Sequence, residues 1–327
     1  MNAVHGMPDR AWCAARHVVG CSLGVSLVLG CSARAVDPKP AVSQSPRAPT
    51  SATAVPAPIV DAGPGDADAI APDPAPAPPP KCPPDMAHVQ HDFCPKLERR
   101  CVKSEYDKAN HLAICHRFRE GSNECLSKRV PLEFCIDRYE FPNQKGAHPP
   151  VMVDWYEAMG HCAARGKRLC YEREWVAACE GPDETPFPYG WERSKKMCNI
   201  DNPWTEPSLK KIYSKDPATS QPELERLDES VPSGSMETCQ SGYGVYDLTG
   251  NFDEWALADH DRPEERAVFA ALKGGAWGHV RNACRPVTTS HDPTFTYYFV
   301  SFRCCRDAAS DAPSESPSAT SGRPAVP

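Results

Sequence analysis

Apolar side chains are distributed unevenly along this chain of 327 residues, and their first concentration lies near the N-terminus. Residues 18–30 form an apolar run that follows Arg10 and Arg16. The run is too short to cross a bilayer as a helix, which needs about 20 apolar residues, but it has the length of a signal-peptide core. We therefore predict that residues 1–30 are an export signal.

Two segments contain almost no large apolar side chains. Residues 31–81 consist mainly of Pro, Ala, Ser, Thr and Asp, and residues 309–327 mainly of Ser, Pro and Ala. Chains of this composition cannot bury enough apolar surface to fold. We predict a disordered linker at 31–81, either a spacer or a segment without a role, and a disordered tail at 309–327.

Between these segments, apolar positions at helical spacing predict two short helices. The first begins at Asp154, which is followed three residues later by a Glu as in a capping box. It buries Cys162 and ends at Gly166. The second covers residues 172–179 and carries acidic residues in its first turn, where the helix dipole favours them.

The other apolar runs of the folded part are short and are bounded by Gly, Pro, Asn or Asp. They predict short strands and turns at 151–153 and 242–246. The polar segment 203–231 is predicted to be a surface loop, and the charged stretch 96–100 a solvated face. The pattern as a whole indicates a loop-rich fold with little regular structure.

The net charge and the end of the apolar run indicate which partners to expect. The net charge of −7 gives no attraction to nucleic acid, so no nucleic-acid partner is expected. The run ends in Gly30-Cys31, which resembles the bacterial lipobox, where the cysteine is lipidated and becomes the mature N-terminus. Acyl chains on Cys31 would anchor the protein to a membrane, at the outer membrane, in the periplasm or at the cell surface. A plain secretory signal with an incidental cysteine is the alternative.

The chain contains 17 cysteines, an odd number. Cys13 and Cys21 would leave with the signal and Cys31 would carry lipid, which leaves fourteen cysteines in residues 82–308. An even count in an exported chain favours a disulfide framework. Structural zinc is disfavoured because no C-x2-C pair occurs and the H-x2-H pair, His88 and His91, lies in a polar stretch.

The first six of these cysteines lie in residues 82–135, which we treat as a separate Cys-rich segment before a domain at 136–308. Six cysteines can pair in fifteen ways, and the sequence does not choose among them. We expect a knotted lead-in to the domain. The vicinal pair Cys304-Cys305 cannot bridge to itself without strain.

A series of short motifs then follows in a fixed order. They are, by residue number, 151–155 Val-Met-Val-Asp-Trp, 166–169 Gly-Lys-Arg-Leu, 172–175 Glu-Arg-Glu-Trp, 188–191 Pro-Tyr-Gly-Trp, 198–200 Cys-Asn-Ile, 244–251 Gly-Val-Tyr-Asp-Leu-Thr-Gly-Asn, 254–255 Glu-Trp, 273–277 Lys-Gly-Gly-Ala-Trp and 301–304 Ser-Phe-Arg-Cys. This order resembles the sulfatase-modifying-factor family, whose founding activity is formylglycine generation. The resemblance implies an irregular, disulfide-rich α+β fold with C-type-lectin-like topology.

Calcium is the first cofactor that the resemblance implies. It places one structural calcium at Asn199 and the Ile200 carbonyl, and another at Asn251, the Gly250 region and Glu254. Oxygen ligands from loops suit calcium. The alternative is a solvated turn in which Asn251 caps a strand end.

Copper is the second cofactor that the resemblance raises. Active relatives carry two cysteines five positions apart just after the Gly-Gly motif, and these bind Cu(I) as thiolates. Aligned from the glycines, His279 stands at the first position and Cys284 at the second; aligned from the C-terminal motif, Cys284 is a structural cysteine. Both alignments lose the dithiolate, so copper is not expected.

The family's cysteine spacing implies two disulfides, Cys162–Cys304 and Cys179–Cys284. The leading expectation is therefore a lipid-anchored protein whose domain is a non-catalytic binding or scaffolding module for an envelope protein, peptide or glycan. The rival is a copper-dependent oxidoreductase that acts on a protein cysteine through a His279/Cys284 site. A purely structural envelope lipoprotein is a third reading.

Overall fold

The computed structural model describes residues 80–108, 110–259 and 269–310. The predicted signal, Cys31, nearly all of the linker and most of the tail lie outside these residues, so those predictions stay as they are. In the described part of the chain, no helix is both long and apolar enough to span a membrane. The two ends of this part meet, because the Ala309 amide donates to the Lys81 carbonyl at 2.9 Å.

The first six strands form one long, nested hairpin. They are β1 (Met86–Phe93), β2 (Leu97–Glu98), β3 (Cys101–Asp107), β4 (Leu112–Phe118), β5 (Glu124–Cys125) and β6 (Val130–Asp137). Each pairing is antiparallel: β1 with β6, β2 with β5 and β3 with β4. We call β3 and β4, residues 101–118, the arm.

Three disulfides hold this hairpin at successive positions. They join Cys82 to Cys135, Cys94 to Cys125 and Cys101 to Cys115. Each bond lies inside the previous one along the sequence, so the expectation of a knotted lead-in is wrong. The bonds are nested because they follow the antiparallel ladder, in which early residues pair with late ones.

The remaining strands, together with β1 and β6, build two four-stranded sheets, which we call the sheet core. These remaining strands are β7 (Arg168–Leu169), β8 (Asp253–Leu257), β9 (Ala270–Lys273), β10 (Val287–Thr288), β11 (Val300–Phe302) and β12 (Cys304–Asp307). The sheet orders are β1-β6-β12-β7 and β10-β9-β8-β11. Strand β6 runs across position 135/136, so the Cys-rich segment continues directly into the domain.

Both predicted helices are confirmed. Helix α1 (Trp155–Ala163) has Asp154 as its N-cap, whose carboxylate accepts from the Glu157 amide at 2.8 Å, and it buries Cys162. Helix α2 (Glu172–Glu180) is followed by Gly181, whose φ of 68° lies in the region that glycine adopts most easily.

Two other predictions about the polypeptide backbone are wrong. Segment 203–231 is not only a surface loop: it contains α3 (Leu209–Ile212) and α4 (Pro217–Leu227), which bury Ile212 and Leu227 in the core. Residues 151–153 are not a strand, because Met152 has a φ of 59° and its amide donates to the Tyr297 carbonyl instead. Residues 242–246 form a turn that closes at an isolated bridge.

Two apolar clusters fill the sheet core, and disulfides run through both. Cys162–Cys304 lies in one cluster and Cys170–Cys305 in the other, so the vicinal cysteines take different partners. Cys179–Cys284 and Cys198–Cys239 complete seven bonds among the described residues. The predicted class, an irregular and disulfide-rich α+β fold, is confirmed.

Candidate functional site

The loop after β9 carries the residues that stand where the copper ligands would be. It begins with Gly274 and Gly275, which have φ values of 90° and 70°. A Cβ on Gly274 would lie 3.2 Å from the Leu248 carbonyl oxygen, and the positive φ is one that L side chains rarely adopt, so a larger residue would be strained there. The buried Asn282 side chain closes the loop by donating to the carbonyls of Gly275 and Ala276, both at 2.8 Å. This bonding fixes where His279 and Cys284 lie.

Cys284 is not a free thiol. Its sulfur is bonded to Cys179 of α2, and both residues are fully buried. The pairing is one of the two that the family resemblance implies. A copper site at His279/Cys284 needs the Cys284 thiolate as a ligand, and the disulfide removes it. In this structure the Cys284 sulfur is therefore not available as a thiolate ligand.

His279 lies at the edge of this loop. Its Nδ1 is buried and makes no hydrogen bond, and its Nε2 lies 3.5 Å from Nη2 of Arg281. The ring packs beside Phe299, with 5.9 Å between the ring centroids. Burial lowers the pKa of His279, so the imidazole is held in its neutral form near neutral pH.

Asn199 and Asn251, one from each predicted calcium site, are hydrogen-bonded to each other and to neighbouring protein groups. Asn251 Oδ1 accepts from Nδ2 of Asn199 at 3.1 Å and from the Val231 amide at 2.9 Å, while its Nδ2 donates to Glu140. Asn199 Oδ1 accepts from Asn202. The structure thus brings Asn199 and Asn251 together. It also directs their side chains at protein groups, and calcium at Asn199 and Ile200 stays a prediction.

Glu254 does not fit a calcium site in this arrangement. Its carboxylate accepts from Arg303 Nη2 at 2.6 Å, from Arg303 Nε at 2.7 Å and from Trp175 Nε1 at 2.8 Å, and all three residues are buried. A cation would have to displace the guanidinium. Nowhere in the described ranges do three or more His, Cys, Asp or Glu side chains lie together as a metal cluster.

Two further buried carboxylates, Glu140 and Asp247, face the same guanidinium. Glu140 lies outside the sequence motifs, and Asp247 lies in the motif 244–251 but was not predicted to be a site residue. Burial raises the pKa of Glu140 well above its usual range, and the nearby Asp247 and Glu254 add to the shift. Burial also raises the pKa of Asp247 to about 6. Asp247 accepts from the Gly234 amide at 2.6 Å. The three carboxylates and Arg303 are each at most 2% exposed. We therefore treat this cluster as part of the folded core rather than as a binding surface.

Two cavities lie between this loop and the arm. A cavity of about 520 Å³ is bounded by residues 112–115 of β4 and by residues 280–287, and we call it the arm cleft. A second cavity, of about 670 Å³, reaches Trp204, His279 and Phe299. The two adjoin, because they share Leu112, Val280 and Arg281.

The charged residues of the arm cleft are all arginines. Arg99, Arg193, Arg281 and Arg285 line it, and no acidic residue does. Arg99 belongs to the stretch predicted to be a solvated face, but its side chain is 6% exposed and bonds Glu180 at 2.6 Å. The sequence did not indicate this site because its walls come from three segments far apart in the chain.

Solved structures with related folds include a crystal structure of CarF, at 15% identity and a TM-score of 0.41, which covers 69% of this chain and 98% of that one. PvdO from Pseudomonas aeruginosa matches at 17% identity and a TM-score of 0.39, over 71% of this chain and 100% of that one.

Curated relatives include the inactive C-alpha-formylglycine-generating enzyme 2 of Bos taurus, 29% identical over 50% of this chain and 52% of the relative. The formylglycine-generating enzyme of Thermomonospora curvata is 29% identical over 50% and 52%. The serine/threonine-protein kinase pkn1 of Chlamydia caviae is 28% identical over 42% and 20%. The chain thus spans about half, or less, of these relatives.

The family model described as a sulfatase-modifying factor enzyme 1-like domain matches residues 129–308. The match covers more than half of the chain and contains the loop from Gly274 to Cys284, α1, α2 and β6 to β12. The chain belongs to the family of sulfatase-modifying factor enzyme 1-like domains.

Proposed function

We propose that this chain is an exported, lipid-anchored protein whose sulfatase-modifying-factor domain is a non-catalytic binding or scaffolding module. One observation carries the proposal: the sulfur of Cys284 is bonded to Cys179. Active members of the family use a pair of thiolates at this loop. Here one position holds His279 and the other a disulfide sulfur, so no pair of thiolates remains.

Two further observations support the proposal. The relative from Bos taurus, which matches this chain with the same identity and coverage as the Thermomonospora curvata enzyme, is itself named as an inactive formylglycine-generating enzyme. The seven disulfides are typical of proteins that work in an oxidising compartment outside the cytosol. Cys31 is the proposed point of lipid attachment, and the Pro-rich linker at 31–81 would hold the folded domain away from the membrane.

Oxygen uptake tests the loss of catalysis. The purified protein, loaded with Cu(I) and mixed with a cysteine-containing peptide, is expected to consume no more oxygen than the same copper and peptide without the protein. The electrode reading with and without copper gives the measurement.

Copper-dependent turnover that His279→Ala abolishes would overturn the proposal. His279 is the better variant for this purpose because it is not in a disulfide, so its replacement leaves the seven bonds intact. Turnover that persists in His279→Ala would point to copper-catalysed oxidation of the peptide thiol that does not need His279.

A further inference from the structure

Strand β4 has an outer edge that already accepts an added strand along half of its length. The Phe118 amide donates to the Trp191 carbonyl at 3.0 Å, and the Arg193 amide donates to the His116 carbonyl at 2.8 Å. Arg117 and Glu192 form an antiparallel bridge between these two bonds. In the described ranges, no backbone segment continues this pairing from Arg193 towards Leu112.

The arm cleft runs along this unpaired half. Four consecutive residues of β4, 112–115, line it. Successive side chains of a strand point to opposite faces, so a cavity lined by both parities lies beside the backbone edge rather than over one face. The opposite wall is largely apolar and includes Phe187, Val280 and Val287. An edge beside an apolar wall is the geometry by which extended peptides add to sheets.

Charge selects among such peptides. Arg99 and Arg285 share the single carboxylate of Glu180, and Arg193 pairs with Asp201. Arg281 forms no ion pair with any carboxylate of the described residues and lies where the two cavities join. The cleft is therefore a cationic site on a chain whose net charge is −7, and it favours an anionic occupant.

We propose that the arm cleft binds an extended acidic segment of a partner protein by strand addition to β4, with a carboxylate of that segment on Arg281. The proposal rests on the proposed function, since it names the kind of partner that a binding module would hold. Strand β4 lies outside the residues 129–308 that match the family model, whereas the wall at 280–287 lies inside them, so the site joins the matched domain to a segment that precedes it.

A defined probe tests the charge requirement. Fluorescein-labelled decapeptides of alternating Glu and Val, or of alternating Lys and Val, are titrated with the full chain and followed by anisotropy. Saturable binding of the Glu–Val peptide only is expected. Arg281→Glu should weaken it about tenfold, the effect of losing one charge-assisted hydrogen bond, whereas Arg306→Glu, an exposed arginine of β12 outside the cleft, should leave it unchanged.

N-methylation of the probe tests strand addition. In a strand, the amides of the Glu residues and those of the Val residues point to opposite edges, so only one set can bond β4. Methylating that set should abolish binding, and methylating the other should preserve it. If both sets tolerate methylation, or if the unmodified Glu–Val peptide does not bind, the proposal is overturned.

Other occupants give their own results, and each would also overturn the proposal. Dimers in sedimentation that the Glu–Val peptide dissociates would assign the cleft to a second copy of this chain. Intramolecular cross-links between residues 31–81 and β4 would assign it to the chain's own linker. Either result leaves the oxygen-uptake test unaffected, so a failure here is distinct from a failure of the proposed function.

Discussion

The arm and the sheet core use cysteine for two different purposes. In the arm almost every residue of β3 is exposed, and Cys101–Cys115 joins positions only 14 residues apart. In the sheet core, Cys162–Cys304, Cys170–Cys305 and Cys179–Cys284 join positions 142, 135 and 105 residues apart, and all six cysteines are fully buried.

The difference shows what each region lacks. None of the described residues of the arm is buried, and an isolated two-stranded hairpin is marginally stable in water, so a short covalent link holds its strands in register. The sheet core has apolar clusters but short strands and few helices. There the disulfides close long loops and restrict the unfolded chain.

The largest expected effect on stability comes from removing one disulfide of the sheet core and, for comparison, the disulfide of the arm. In the chain-entropy model, Cys179→Ala/Cys284→Ala should cost about 4.7 kcal/mol of unfolding free energy and Cys101→Ala/Cys115→Ala about 3 kcal/mol. The buried pair also leaves a cavity. Urea unfolding of both double variants gives the comparison. Equal losses, or a larger loss for the arm, would show that the long-range bonds do not carry the stability of the core.

The second largest difference in stability between the two regions is expected from their ion pairs. Arg303→Met removes the cation that pairs with Glu254, and breaking a fully buried pair costs about 3–5 kcal/mol. In the arm, Glu105 pairs with His116 but is 70% exposed, so Glu105→Gln should change stability by less than about 1 kcal/mol. A loss near 1 kcal/mol for Arg303→Met, measured by the same unfolding experiment, would contradict this account.

The smallest effect concerns pH and is confined to the core. Burial raises the pKa of Asp247 from 3.8 to about 6, so between these values the folded state binds a proton that the unfolded state has released. The stability contributed by this group is present below about pH 4 and is lost as the pH rises through about 6. The stability of the wild type relative to Asp247→Asn should therefore fall between pH 4 and 6.5. Parallel curves for the two proteins would contradict the shift.

The same division explains what the sequence could predict. Helices α1 and α2 follow from local signals, such as the Asp154 cap and the Gly181 stop, because capping involves neighbours in the chain. The arm gives no such signal, since β3 lacks the alternation of a half-buried strand. Arg99 looked solvated because its partner, Glu180, is 81 residues away in the sequence.

In the candidate site, too, the features encoded by neighbouring residues could be predicted and those that depend on long-range packing could not. The glycine loop and the position of Cys284 within it follow from a contiguous motif. The arm cleft depends on the packing of β4 against residues 280–287, which no local pattern encodes. The buried partner of Glu254 was missed for a related reason: Arg303 was noted as part of a motif, but the ion pair spans 49 residues.

The meeting of the two chain ends at Lys81 and Ala309 has a mechanical consequence. A pull on the N-terminal side reaches Cys82 within one residue, and a pull on the C-terminal side reaches Cys304 and Cys305 within a few. Successive residues of β12 face opposite sides of the sheet, so tension at that end divides between both apolar clusters through covalent bonds. A protein tethered at one end and loaded by a bound partner would thus resist peeling from either terminus.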